Sequence, residues 1–541
     1  MVCAKFSRHP AETAEAYLTQ GVWQQDTLCD LLDAWAEKTP DRVFVREVSG
    51  RHFTFGELST VSRKFANALL DLGLKKGDVV AIQLPSSIEF VIAYFGVLRM
   101  GGILATMHMP YEENELRSLL EFSGAKAAIC APADDRRDRP AVMDKLRNEL
   151  PDLKHVIVAR GDVDGDQFHR MADMIAKASL DDIADPPSAS DGALLCFTSG
   201  TSSAPKAVIH ACETLLADAR AYITTIDGRQ DDHSMIAPPF THIFGLECVN
   251  NALTVGSSIV PMDQFTPQAF ADMLERQKPT IVYGAPAHLA ATLRDNQLEG
   301  RDLSSIRHVI LGGALCAPSV AREFEDHLPN GKIGILFGMT ESLLVTQTDY
   351  DSSPQERHGT VGKPVTGIDV RIVDADGAPL GPGVEGALQL HGFTIMAGYL
   401  GNDAANEKAF TNDGWFDCGD TAMWDDHGNV VITGRSIDVI NRGGVKINPS
   451  DIEAAISEHP DIIQVALVPM PDYVLGEKIC AALTMRPGTS ISVEDLSAFL
   501  ADRKIAKMRR PEHVVIVDEM PMTPTKKIIK SLLCKQLFPT E

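Results

Sequence analysis

The run Cys196–Ala211 reads CFTSGTSSAPKAVIHA, and positions 198–204 hold only Thr, Ser, Gly and Ala before Pro205 and a lone Lys206. Small residues let successive backbone N–H groups point into one concavity, hydroxyls add donors, and a lysine supplies a mobile positive charge. Such a set suits phosphate oxygens. It is not a Walker A loop, because no G-x-x-x-x-G-K-[ST] is present and no helix follows directly. On composition alone, a plain polar hairpin turn remains the alternative. Near the other end, PMTPTKKIIK gathers Lys526, Lys527 and Lys530, a run that ordinarily reads as a solvated basic tail. A formal G-x-G-x-x-G, Gly381–Gly386, is followed by a strand and not by the helix a dinucleotide site requires.

These residues must be positioned by the elements around them. Runs such as VVAIQL, HVIVA, ALLCF, SSIVPM, IVYGA and HVILGGA are short, β-branched and bounded by turn residues. They alternate with segments of helical apolar spacing such as LCDLLDAWAEKTPD, which predicts an α/β architecture with buried sheets. After about residue 365 the pattern turns to strands around Gly- and Pro-rich turns, predicting antiparallel β structure. Past GRSIDVINRGG the chain restarts: Ser450-x-x-Glu453 reads as a capping box opening a helix, then strands, a second helix and a basic tail follow. The stretch Phe90–Met107 carries Arg99 and a Gly101–Gly102 break, so it reads as a buried helix running into a strand, not a membrane span.

A chain of 541 residues exceeds one hydrophobic core, which stops growing near ~250–300 residues. The net charge of −24 opposes non-specific binding to nucleic acid or anionic membrane. An anionic ligand then needs cations gathered at one place. Ten scattered cysteines without a C-x-x-C pair form neither a disulfide framework nor a zinc site. Reduced thiols and an N-terminus without a signal-type apolar core lead to a cytoplasmic expectation.

The motifs in their order along nearly the whole chain resemble the adenylate-forming superfamily of acyl-CoA synthetases, stand-alone adenylation enzymes and luciferases. The loop keeps Thr198, Ser199, Gly200, Thr201, Pro205 and Lys206 of the usual T-S-G-T-T-G-x-P-K-G, and departs at Ser202, Ser203 and Ala207. PPFTHIFGL resembles the acyl-pocket segment, LGGALC the adenine-contacting strand end, and LFGMTES the G-Y-G-x-T-E motif with Phe337 for Tyr. GWFDCGD, GRSIDVINRGG and PMTPTKKI match the ribose, hinge and terminal-lysine motifs. The resemblance implies an N-terminal domain, residues 1–434, of two α/β sheet subdomains and a β-rich subdomain, a hinge at 435–438, and a small mobile α/β lid at 439–541.

The same resemblance implies ATP-dependent conversion of a carboxylic acid to an acyl-adenylate, releasing pyrophosphate, with Mg²⁺ and coenzyme A as the further requirements. Thr198, Ser199, Gly200, Thr201 and Lys206 would wrap the β- and γ-phosphates. Thr340 would bond the α-phosphate, and Glu341 would hold Mg²⁺. Gly312, Gly313, Ala314, Phe337 and Gly338 would frame adenine, and Asp420 and Arg435 the ribose. Lys527 would bridge carboxylate and α-phosphate; Lys526 stands where the family has Gly. Phe240, His242, Ile243, Tyr283 and Gly313 would form the acid pocket, with His242 closing it. Gly443 and Gly444 would border the thiol tunnel. Ile437 occupies the pivot, usually Asp or Lys.

No charge partner for a second substrate charge stands out around that pocket, which suits an uncharged acyl tail. Family members for 2-hydroxyaryl acids carry Asn after the pocket His; Ile243 cannot read a hydroxyl, so salicylate-type acids are disfavoured. Medium-chain, alicyclic or non-hydroxylated aryl acids are expected, with CoA favoured as acceptor. Loading a carrier-protein phosphopantetheine is the alternative, and a catalytically impaired binding protein on the same scaffold is the third reading.

Overall fold

The computed structural model describes residues 9–135, 137–161, 163, 165–198, 206–435, 438–442, 445–473, 475–503, 505–523 and 527–539. Of the expected site, Ser199, Gly200, Thr201, Ile437, Gly443 and Gly444 lie outside them, as does Lys526.

Two large sheets form the bulk. The first orders its strands His169–Arg170, His155–Val158, Ala127–Cys130, Val79–Gln83, Ile103–Thr106 and Gly192–Thr198, all parallel, then Lys206–Ala211 running back antiparallel. The second has six parallel strands at its centre, from Lys332–Met339 through His308–Leu311, Ile281–Gly284, His233–Ile236 and Ser258–Pro261 to Val43–Arg46. Antiparallel strands close its two edges. Parallel strands covered on both faces read as continuous apolar runs, which is why these segments were legible.

Helix Ile88–Arg99 is buried along its whole length, with Ser87 Oγ capping it by accepting from the Phe90 N–H at 3.3 Å. It runs into strand Ile103–Thr106, as its sequence required. Its buried Arg99 is matched by a two-pronged contact to Asp33 and a bond from Nε to Ser62 Oγ at 3.0 Å, which a charge so enclosed needs. Among the described residues, no helix is long and apolar enough to cross a membrane. The nine described cysteines are free.

The expected antiparallel region is a four-stranded sheet, Ile368–Val373, Gly386–Gly392, Phe416–Trp424 and Val430–Arg435. Its turn Gly381–Gly386 feeds a strand, so the formal dinucleotide fingerprint there is a hairpin. From Ile440 onward a five-stranded sheet with helices Ser450–Ser457, Val493–Asp502 and Lys530–Leu537 packs around two apolar clusters made only of its own residues. One local expectation fails. The helix begins at Ser450 with Pro449 as N-cap and no capping bond. Glu453 Oε1 is taken instead by the Leu467 N–H at 2.6 Å and by Lys530 Nζ at 2.8 Å. Tertiary partners outcompeted the local reciprocal pair.

Candidate active site

Strands Gly192–Thr198 and Lys206–Ala211 pair with Thr198 opposite Lys206, so the two residues that flank the small-residue loop stand side by side. Lys206 Nζ lies 4.8 Å over the Tyr399 ring, and the Tyr399 hydroxyl donates to Glu341 Oε1 at 2.9 Å. One aromatic ring thus stands between the loop cation and the acid. It holds Lys206 through its face and Glu341 through its edge oxygen.

Thr340 and Glu341 occupy the turn from strand Lys332–Met339 back into Leu343–Gln347. Leu343 there adopts φ 55°, a left-handed conformation that costs a side-chain-bearing residue roughly 1–2 kcal/mol. Three bonds from elsewhere hold it. His210 Nε2 donates to the Thr340 carbonyl at 2.7 Å, the Met396 N–H donates to the Glu341 carbonyl at 2.7 Å, and Asp218 Oδ1 accepts from the Leu344 N–H at 3.1 Å. Gly338 has a packing reason beyond any nucleotide contact, because a Cβ there would lie 2.3 Å from the Leu343 carbonyl oxygen.

Asp420 and Arg435 are cross-strand neighbours, with Arg435 Nε 3.1 Å from Asp420 Oδ1. Burial pushes the Asp420 carboxyl up to about 6, with Arg435 and Lys527 pulling the other way. Burial likewise raises Glu341, against the Tyr399 hydroxyl, Lys206 and Arg435. Lys527 comes near them from the C-terminal unit, its carbonyl accepting from the Thr523 N–H at 2.7 Å. Burial and Arg435 hold its ammonium below the usual range, while Asp420 and Glu341 support it. The lysine also bears on His242, whose imidazole is depressed to about 3 by burial first, then by Lys527 and His108. Acids from two sheets and a cation from the C-terminal unit are therefore close enough to influence one another's charge.

His242 caps helix Ile243–Val255, its Nδ1 accepting from the Phe244 N–H at 3.2 Å, and its ring stacks on His108 at 6.3 Å. Ile243 is buried at the helix start. Phe240 and Tyr283 are enclosed completely, Phe240 against Phe90 and Tyr283 against Phe244, so they wall the segment from behind. Gly313 takes φ 82° with open space where a Cβ would stand, Ala314 is exposed, and a Cβ on Gly312 would meet Leu336 at 2.6 Å. Phe337 is half-buried beside them.

A model of the AMP-binding enzyme family matches residues 32–400, and its C-terminal-domain model matches residues 451–527. The chain belongs to the AMP-binding enzymes. Within that family it is 33% identical to the salicyl-AMP ligase / salicyl-S-ArCP synthetase of Mycobacterium tuberculosis, over 98% of this chain and 94% of that one. It is 30% identical to the medium-chain fatty-acid–CoA ligase of Escherichia coli, over 97% and 92%. The anthranilate CoA ligase AuaEII, solved with anthranoyl-AMP, shares the fold with TM-score 0.87 at 24% identity over 95% and 97% of the chains.

Sequence reasoning missed four residues, of which Tyr399, His210 and Asp218 hold the Glu341 turn. Tyr399 and His210 become visible only through strand pairing, such as the Val208–Tyr399 bridge. Asp218 and Glu247 did carry a signal: each is an acid inside an apolar helix, Cys212–Thr225 and Ile243–Val255.

Proposed function

We propose that this chain is an ATP-dependent acid–thiol ligase, activating a carboxylic acid as its acyl-adenylate and passing the acyl group to the thiol of CoA. One observation carries the reading: Lys527, from the far end of the chain, brings its charge into the cleft of Asp420, Glu341 and His242. Two anions, an acid and the α-phosphate, repel one another; a desolvated cation between them offsets that repulsion and neutralises the charge that grows in the transition state. Thr198 to Lys206 would hold the outer phosphates, Thr340 the α-phosphate, and Asp420 with Arg435 the ribose. Depressed His242 stays neutral at working pH, so it adds no charge where the substrate carboxylate sits.

Glu341 fits a hard divalent cation, since it presents carboxylate oxygens, of which Oε1 accepts from the Tyr399 hydroxyl. Mg²⁺ bound there would supply charge neutralisation to the phosphates. We place the residues beyond the hinge as the lid that delivers Lys527, and the enzyme in the cytoplasm. A carrier-protein thiol is the second reading, favoured by INRGGVKI and by the relative named as a salicyl-S-ArCP synthetase.

The test is acid-dependent exchange of label from pyrophosphate into ATP. Lys527→Ala should lower it by about a hundredfold or more while leaving ATP binding measurable. Undiminished exchange would overturn the reading. Thioester formation with CoA or with a holo carrier protein then separates the acceptors.

A further inference from the structure

Between strand Gly386–Gly392 and helix Asp403–Ala409 runs the segment 393–400, FTIMAGYL, irregular apart from a single bridge of Tyr399 to Val208. Phe393, Ile395, Met396, Tyr399 and Leu400 are nevertheless all buried. A buried irregular stretch has no ladder to satisfy its backbone, so its position is set by whichever partners reach it. Its second half meets the residues of the phosphate side. The Met396 N–H donates to the Glu341 carbonyl at 2.7 Å, and the Leu400 N–H to the carbonyl of Ala207, next to Lys206, at 2.8 Å. Between them, Tyr399 gives its hydroxyl to Glu341 Oε1 and its ring face to Lys206.

The first half is held from the opposite end of the chain. Trp23, itself buried, donates from Nε1 to the Phe393 carbonyl at 3.1 Å, and the His9 ring hydrogen-bonds the Ile395 backbone. Helix Ala11–Thr19 lies between these two and sets Tyr17 edge-on to Trp23 at 5.0 Å and to Phe393 at 6.4 Å. His9 is edge-on to Trp23 at 5.4 Å. The N–H groups of Val22 and Trp23 both donate to the Tyr17 carbonyl, which fixes where Trp23 leaves the helix. Residues 9–23 therefore grip Phe393 and Ile395, and the residue after Ile395 is the one that holds the Glu341 turn.

We propose that residues 9–23 are a clasp that positions the ATP site, with Trp23 as a positioning residue acting through 393–400 on Glu341 and Lys206. The inference rests on the nucleotide-binding part of the reading above. One ring joins Lys206 to Glu341, so a shift of its segment displaces both together. A displacement of about 1 Å at such groups costs up to ~100-fold.

The experiment measures ATP binding to the full chain by calorimetry in the presence of Mg²⁺, together with KM for ATP and for acid in pyrophosphate exchange. Trp23→Phe keeps a buried ring and removes the donor; ATP affinity should fall about tenfold, and KM for ATP should rise more than KM for the acid. His9→Phe, at the outer end of the clasp, should shift ATP affinity the same way by about threefold. Tyr399→Phe keeps the ring over Lys206 and loses the bond to Glu341. Combined with Trp23→Phe it should bind ATP within about threefold of the weaker single variant, because both act through one segment. Losses that multiply, or an equal rise in both KM values, overturn the clasp and leave the ligase reading intact. So does unchanged ATP affinity in Trp23→Phe, or in His9→Phe should the tryptophan variant fail to fold. A wild type that binds ATP but exchanges with no acid overturns the ligase reading alone, and the affinities still decide the clasp. A wild type that binds no ATP overturns both.

Discussion

Asp420 is the residue whose titration the enzyme should report. Its carboxyl is raised to about 6, and only the ionised form accepts from two ribose hydroxyls. As pH falls through about 6, KM for ATP should rise, and Asp420→Asn should weaken ATP binding while flattening that dependence. A wild-type KM for ATP constant from pH 5 to 8 contradicts this. The sign for stability is opposite. Because the folded pKa is raised, the folded state holds a proton that the unfolded state has lost between roughly pH 4 and 6, so this group lowers stability as pH rises through that window. His242, depressed to about 3, stays neutral in the folded enzyme and adds nothing to the ATP profile, but the unfolded state protonates it below its ordinary value, so it raises stability as pH rises through the same window.

At the scale of elements, the start of helix Ile243–Val255 sets where His242 and Glu247 stand. Alanine is ordinarily better than glycine in a helix by about 1 kcal/mol. At Gly245 the sign reverses, because a Cβ there would lie 2.3 Å from the Pro239 carbonyl oxygen, which is backbone and cannot swing away. Gly245→Ala should therefore lower Tm and raise KM for the acid more than for ATP. A stabilised variant with unchanged acid KM would show that the helix start is free to move. The same element shows what was legible beforehand. PPFTHIFGL marked the segment by pattern, while the contacts of Phe244 and Asn251 with Tyr283 were not legible from it. Tyr399 is a similar case, since a ring between Lys206 and Glu341 joins three segments far apart in sequence.

On the function proposed above, the whole molecule would hold Lys527 beside Asp420 for the first step and release it for the second. Asn448 Nδ2 donates to Thr421 Oγ1 at 3.2 Å, tying the C-terminal unit to strand Phe416–Trp424 directly beside Asp420. Gly434 makes that approach feasible, because a Cβ would fall 2.1 Å from Asn448 Oδ1. Gly434→Ala should push the two units apart and lower pyrophosphate exchange about tenfold. Transfer from a chemically prepared acyl-adenylate to CoA should fall less. An equal loss in both steps would mean that the contact does not favour one arrangement over the other.

The sequence by itself determined the strand and helix alternation, the decoy at Gly381–Gly386 and the buried nature of Ile88–Arg99. Each of those rests on local spacing or on a contiguous motif, and local physics acts between near neighbours in the chain. Tertiary structure alone decided that Glu453 abandons its capping box for Leu467 and Lys530, and that His210 and Asp218 brace the Glu341 turn. Those are choices among partners distant in sequence, and a buried polar group takes whichever partner the packing brings within hydrogen-bond reach.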